Sequence, residues 1–122
     1  MTLRECIANA EAKGVAIGHF NISDSEGFKA VVEAAKELGV PVIIGVSEGE
    51  SDFIGLKEVA ALVEVARGGG MEIFLNADHY YSIEKTKQAI DAGVDSMIID
   101  AADKTLEENI AITKKVVQYA GG

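Results

Sequence analysis

The strongest constraint on this chain is a unit repeated four times: a short apolar run that ends in polar residues, then a helical stretch. Residues 41–46 show it best, because Pro41-Val42-Ile43-Ile44-Gly45-Val46 is β-branched and has no polar alternation. A strand of that kind needs apolar cover on both faces and belongs in a parallel sheet flanked by helices. It ends in Ser47-Glu48-Gly49. The first run, residues 15–22, carries His19, Phe20 and Asn21 near its end. The third, residues 71–77, runs into Asp78 and His79, and the fourth, residues 94–101, carries Met97, Ile98 and Ile99 into Asp100, with Asp103 beyond.

Helical periodicity fills the stretches between. Residues 25–38 place Phe28, Val31, Val32, Ala35 and Leu38 on one stripe, and residues 55–67 do the same with Leu56, Val59, Ala60, Leu62, Val63 and Ala66. Two more helices are predicted over 82–92 and 106–119, where Glu107 and Glu108 suit the positive end of the last one. Gly39, Gly68-Gly69-Gly70 and Gly93 stop the first three, and Pro41 forbids continuation of the first. A short helix over residues 2–13, capped by Thr2, precedes the first strand.

Strand and helix therefore alternate in an α/β chain built of parallel (β/α) units. Two architectures accept such a run, an open doubly wound sheet or part of an eight-stranded barrel. Barrels collect polar residues from many strand ends at one rim, whereas an open sheet concentrates them at a switch point. All four strands here end in polar residues, which favours half of a TIM (β/α)8 barrel with an extra N-terminal helix. A whole barrel takes about 250 residues, so the 122 residues are expected to form a single partial domain over 1–122. The first and fourth strands would be its open edges.

A net charge of −9 and the absence of a basic cluster argue against a nucleic-acid surface. No apolar run is long enough to span a membrane, and a cytoplasmic protein is expected. The single Cys6 falls on the apolar face of the first helix with Leu3, Ile7 and Ala10, and reads as a small buried residue in a reducing compartment.

The chemistry gathers at Leu75-Asn76-Ala77-Asp78-His79. Imidazole ligates zinc, and a carboxylate beside it can stay free to move a proton. The same dipeptide also fits a plainer arrangement, in which Asp78 caps the helix starting near Ser82 and His79 is a loop residue. His19 shares strand parity with Ile17 and Asn21 and is expected to be a hydrogen-bonded rim residue rather than a ligand. Glu48 and Asp103 are expected to cap helices, and Gly68-Gly69-Gly70 lacks the lysine and serine context of a phosphate loop.

Read together, Gly18-His19-Phe20-Asn21, Val46-Ser47-Glu48-Gly49, Leu75-Asn76-Ala77-Asp78-His79, Ala89-Ile90-Asp91-Ala92-Gly93, Met97-Ile98-Ile99-Asp100 and Glu107-Glu108-Asn109-Ile110 resemble a family. In order and spacing they are similar to the amino-terminal half of the class II, metal-dependent ketose-bisphosphate aldolases, which include fructose- and tagatose-bisphosphate aldolases. The resemblance spans essentially the whole chain. It implies zinc-dependent, reversible cleavage of a phosphorylated ketose to dihydroxyacetone phosphate and an aldehyde. The family pattern at the third strand is His-x-Asp-His-Gly, with the Asp as catalytic acid/base and the second His on zinc. That implies Asp78 as the catalytic residue and His79 as a metal ligand. It further implies Asn21 and Ser47 as substrate-binding residues, Ser47 through a phosphate or a hydroxyl, and Asp100 as a supporting rim carboxylate, with room for a second divalent or monovalent cation.

This chain departs from the pattern at Asn76, which replaces the first His, and at Tyr80, which replaces a small residue and is expected to narrow the site or change which substrate fits. His19 and His79 are its only histidines, and a catalytic zinc takes three protein ligands. The resemblance therefore implies a truncated or half-barrel chain, whose site a second half-barrel or a homo-oligomeric partner completes. No strand carries the lysine that a Schiff-base aldolase needs. Two alternatives stand beside this reading. One is a non-catalytic half-barrel assembly domain. The other is a receiver-type signalling module with Asp78 as phosphoacceptor, against which count the missing acidic pair on the first strand and the missing fifth-strand lysine.

Overall fold

The computed structural model describes residues 1–121. Its elements are α1 (Leu3–Ala12), β1 (Gly18–Asn21), α2 (Ser25–Leu38), β2 (Val42–Ser47), α3 (Glu48–Ile54), α4 (Leu56–Gly68), β3 (Ile73–Tyr80), α5 (Ile83–Asp91), β4 (Ser96–Ile99) and α6 (Leu106–Ala120). The strands form one parallel sheet in the order β1-β2-β3-β4. That order decides between the two architectures. Doubly wound sheets reverse direction at a switch point, as in 3-2-1-4-5-6 or 2-1-3-4-5, whereas strands laid down in sequence order are those of a barrel wall. The receiver-type reading falls with the open sheet.

The helical face of the sheet carries most of the core. Ile44, Val46, Val59, Val63, Ile73 and Leu75 are almost completely buried there with Ile22, Phe28, Ala35 and Val42. The opposite face is apolar only at the amino-terminal end of the strands, where α1 lays Leu3 and Cys6 on Phe74 with Ile17 and Ile43 alongside. Cys6 is thus a buried free thiol, as its apolar position predicts. At the same end Arg67 donates to the Ile73 carbonyl at 2.9 Å and pairs with Asp95, which accepts the Leu75 N–H at 2.7 Å. Towards the carboxyl ends the inner face turns polar.

Three differences from the sequence expectation have local causes. Residues 48–54 form a separate helix, α3, because Ser47 and Glu50 build a reciprocal capping box and Gly55 at φ 87° breaks the chain before α4. The first and last strands are shorter than their apolar runs, at Gly18–Asn21 and Ser96–Ile99. β3, by contrast, runs on to Tyr80 through a register irregularity between Ala77 and Tyr80. Among the described residues no helix is long and apolar enough to cross a membrane.

Ile44 is fully buried at the centre of β2. Replacing it with Ala is expected to cost about 2–5 kcal/mol of unfolding free energy through lost burial and a residual cavity, measured by urea denaturation. A cost below about 0.5 kcal/mol would mean that β2 is not central to the core.

Candidate active site

Asp78, His79 and Tyr80 are consecutive, yet the structure sends them to different places. His79 has φ 52°, the one positive value among non-glycine residues. Histidine is among the residues that tolerate this left-handed region, and a bulge there re-aims the side chains around it. Tyr80 consequently leaves the inner face. It is 1% exposed, packed with Ala77 and Ala89 beside Leu56, Val94 and Met97, and the expectation that it narrows the site is not met. Strict alternation would have placed it with Asp78; the bulge shifts the parity.

Asp78 and His79 stay at the rim. Asp78 does not cap α5; Ser82 does, accepting the Lys85 N–H. The Oδ2 of Asp78 accepts from Asn21 Nδ2 at 3.1 Å, and its Oδ1 lies 3.9 Å from His79 Nε2, beyond a hydrogen bond. His79 Nδ1 instead meets Asp100 Oδ2 at 2.9 Å. Asp100 is thus a carboxylate behind the imidazole, the arrangement that fixes ring orientation and leaves the other nitrogen free to ligate. Its second oxygen accepts the Ala102 N–H at 3.0 Å.

The titration shifts follow from these contacts. His79 is raised, first by the Asp100 hydrogen bond and then by the charge of Asp78. Asp100 is lowered, first by the Ala102 N–H and then by His79.

Asn21 reaches Asp78 from two strands away, and Gly45 makes that possible. Gly45 is the register partner of Asn21 on one side and Asn76 on the other. A Cβ there would stand 2.5 Å from Asn21 Oδ1 and from His19 Cε1, so only glycine lets both side chains cross β2. Through the same gap His19 Nε2 meets Asn76 Nδ2 at 3.1 Å, and Asn76 Oδ1 accepts from Ser96 Oγ at 2.8 Å. His19 is therefore a hydrogen-bonded residue of the inner face, as expected, and its partner is the Asn76 that stands where the family pattern has histidine. Asn76 is buried, and this row lies one layer below Asp78.

Ser47, the residue expected to contact a phosphate or hydroxyl of the substrate, is also part of a helix cap. Its hydroxyl accepts the Glu50 N–H at 3.2 Å as the cap of α3. Glu50, which the sequence reading missed, accepts the Ser47 N–H at 2.7 Å, Asn21 Nδ2 at 3.1 Å and the Ser23 hydroxyl at 3.3 Å. The S-x-x-E spacing of Ser47 and Glu50 was the available signal. Glu48 acts as a capping carboxylate, accepting the N–H groups of Tyr81 and Ser82 at 2.8 and 3.0 Å. Asp103 caps nothing; it pairs with exposed Lys104 at 3.3 Å.

For zinc, this donor set fits one coordination position, His79 Nε2 with Asp100 behind it. Among the described residues no group of three or more His, Cys, Asp or Glu side chains is arranged to hold a metal.

Asp100→Asn is expected to let the His79 pKa fall towards its ordinary value of about 6.5, read by NMR titration of the imidazole. The sign is set by the raised folded-state value. The pairing stabilises the fold fully below the ordinary histidine pKa and is lost as pH rises through the raised one. An unmoved titration would show that Asp100 does not govern His79.

The chain is 40% identical over 124 residues to a fructose-bisphosphate aldolase of Staphylococcus aureus, covering 98% of this chain and 43% of that one. It is 40% identical over 125 residues to a 6-phospho-5-dehydro-2-deoxy-D-gluconate aldolase of Bacillus licheniformis, with 99% and 43% covered. Among solved structures, the YdjI aldolase of Escherichia coli superposes with a TM-score of 0.85 at 30% identity over 98% of this chain and 47% of that one. The fructose-bisphosphate aldolase of Campylobacter jejuni does so with 0.81 at 26% over 96% and 42%. The chain spans less than half the length of these relatives. The family model for class II fructose-bisphosphate aldolase matches residues 1–122, and the chain belongs to that family.

Proposed function

We propose that this chain is the amino-terminal (β/α)4 half of a zinc-dependent class II aldolase, and that it supplies the proton-transfer group and one metal ligand of a rim completed by a second half-barrel or a partner copy. The reaction is reversible cleavage of a phosphorylated ketose to dihydroxyacetone phosphate and an aldehyde, in the cytoplasm. The relatives support the substrate class: both the Staphylococcus and the Bacillus enzymes are named for phosphorylated compounds.

The observation that carries this reading is the uneven supply of hydrogen-bond donors to the rim carboxylates. Glu50 receives three donors and Asp100 is held by Ala102 and His79. Asp78 receives only Asn21. Among the described contacts its Oδ1 accepts no hydrogen bond, which leaves the unused lone pairs a general base requires. In the cleavage direction Asp78 takes the proton of the substrate's carbon-4 hydroxyl, and in condensation it returns that proton. Asn21 holds the carboxylate in position through Oδ2, leaving Oδ1 for the transfer. His79 and Asp100 hold a ligating nitrogen next to that oxygen. Zinc, when bound, supplies positive charge that stabilises the negative charge left on the ketose oxygens after bond cleavage.

The natural gene product is expected to release triose phosphate from a phosphorylated ketose, to lose this activity with a chelator and to regain it with zinc. Asp78→Asn is expected to lower kcat by about 10²- to 10⁴-fold, in a coupled triose phosphate assay. Retained turnover in that variant would remove Asp78 from the proton transfer.

A further inference from the structure

Glu50 plays no part in the proton transfer, yet it is the most fully engaged carboxylate of the rim. Burial works to raise its pKa, but the Ser47 N–H, the Ser47 hydroxyl, the Asn21 amide and the Ser23 hydroxyl outweigh it and hold the carboxyl below its ordinary value. Glu50 is therefore a fixed negative charge at neutral pH.

Its position relative to Asp78 assigns it a place along the substrate. Asp78 turns Oδ1 towards His79, on the side of β3 that pairs with β4, and Oδ2 towards Asn21, on the side of β1 and β2. With Asp78 at the carbon-4 hydroxyl, the carbonyl end of a ketose lies on the His79 side. The carbons beyond carbon 4 then lie on the side of Asn21, Ser47 and Glu50.

We propose that Glu50 is a specificity-determining residue that reserves this side of the rim for an uncharged, hydroxylated end, so that the substrate is a ketose phosphorylated at its carbonyl end alone. This deepens the aldolase reading and rests on it. The donors that this chain offers on that side, namely the Ser47 N–H, the Asn21 amide and the Ser23 hydroxyl, already serve Glu50. A phosphate would also meet a like charge, which is how a site rejects one ligand in favour of another. A sugar hydroxyl meets the opposite conditions. It can donate to the Glu50 carboxylate.

The test compares kcat/KM for fructose 1-phosphate and fructose 1,6-bisphosphate in the natural gene product and its Glu50→Gln variant. Gln keeps an oxygen for the Ser47 N–H and removes the charge. The native protein is expected to favour the monophosphate, and Glu50→Gln to shift the ratio towards the bisphosphate by about tenfold or more. A native preference for the bisphosphate, or a ratio that the substitution leaves in place, would overturn the proposal. If neither sugar is cleaved, the aldolase reading falls and Glu50 is judged by binding. Inorganic phosphate added to the ¹⁵N-labelled chain should leave the Ser47 amide resonance unmoved in the native protein and shift it in Glu50→Gln. A shift in the native protein, or none in the variant, sinks the assignment on that arm as well.

Discussion

One backbone position governs the rim. The left-handed conformation at His79 breaks the two-residue alternation of β3 so that Asp78 and His79 both remain accessible while Tyr80 enters the core. The strand recovers at once: Tyr80 accepts the Asp100 N–H at 2.7 Å and pairs in register with Ile99. That recovery delivers Asp100 beside the imidazole. A regular strand would have placed Tyr80 over the site and left His79 facing the helices, so the kink and the arrangement of Asp78, His79 and Asp100 at the rim are the same feature. Burial of the Tyr80 ring holds the strand in this shape, since an aromatic side chain locked among Ala77, Ala89 and Met97 resists the flip that would straighten it.

The second constraint is a missing side chain. Gly45 lies in the middle of an otherwise β-branched strand, where glycine weakens pairing and packs nothing. Its use lies in what passes over it. Asn21 and His19 both project across β2, one to Asp78 and one to Asn76. The site is thus built in two layers, a carboxylate rim and an amide–imidazole row centred on buried Asn76, each tied across three strands. Buried polar rows of this kind are stable only when every member has a partner, and Asn76, with Ser96 on one side and His19 on the other, has two.

Much of this was legible in the sequence, for reasons that differ by element. The four repeats set the parallel α/β order because apolar period and glycine stops are local signals, and Thr2 caps the first helix as a threonine before an apolar periodic stretch does. Asp78 and His79 stood out by adjacency at a strand end. The separate helix α3 was hidden because Ser47-Glu48-Gly49 reads equally as a loop; only the Ser47–Glu50 spacing marks it. Tyr80 was misplaced because the parity rule assumes a regular strand, and a bulge leaves no mark in composition. Glu50 escaped notice because its partners Asn21 and Ser23 lie far away in sequence, where spacing carries no information.

The rim's carboxylates also show how one fold separates their tasks. Glu48, Glu50, Asp78 and Asp100 lie at or beside the ends of β2, β3 and β4, and like charges so close would repel were they equally free. Backbone donors divide them. Glu48 serves the N–H groups of Tyr81 and Ser82, Glu50 that of Ser47, and Asp100 that of Ala102. Each thereby holds a turn: the entry to α5, the cap of α3 and the chain after β4. Asp78 has no backbone donor among the described contacts. Its one tie is a side-chain amide shared with Glu50, which constrains its position while leaving its second oxygen outside any hydrogen bond. A proton acceptor requires that combination of fixed placement and unused lone pairs, so the neighbouring turns, by engaging the other three carboxylates, leave the fourth suited to the proton transfer proposed for it.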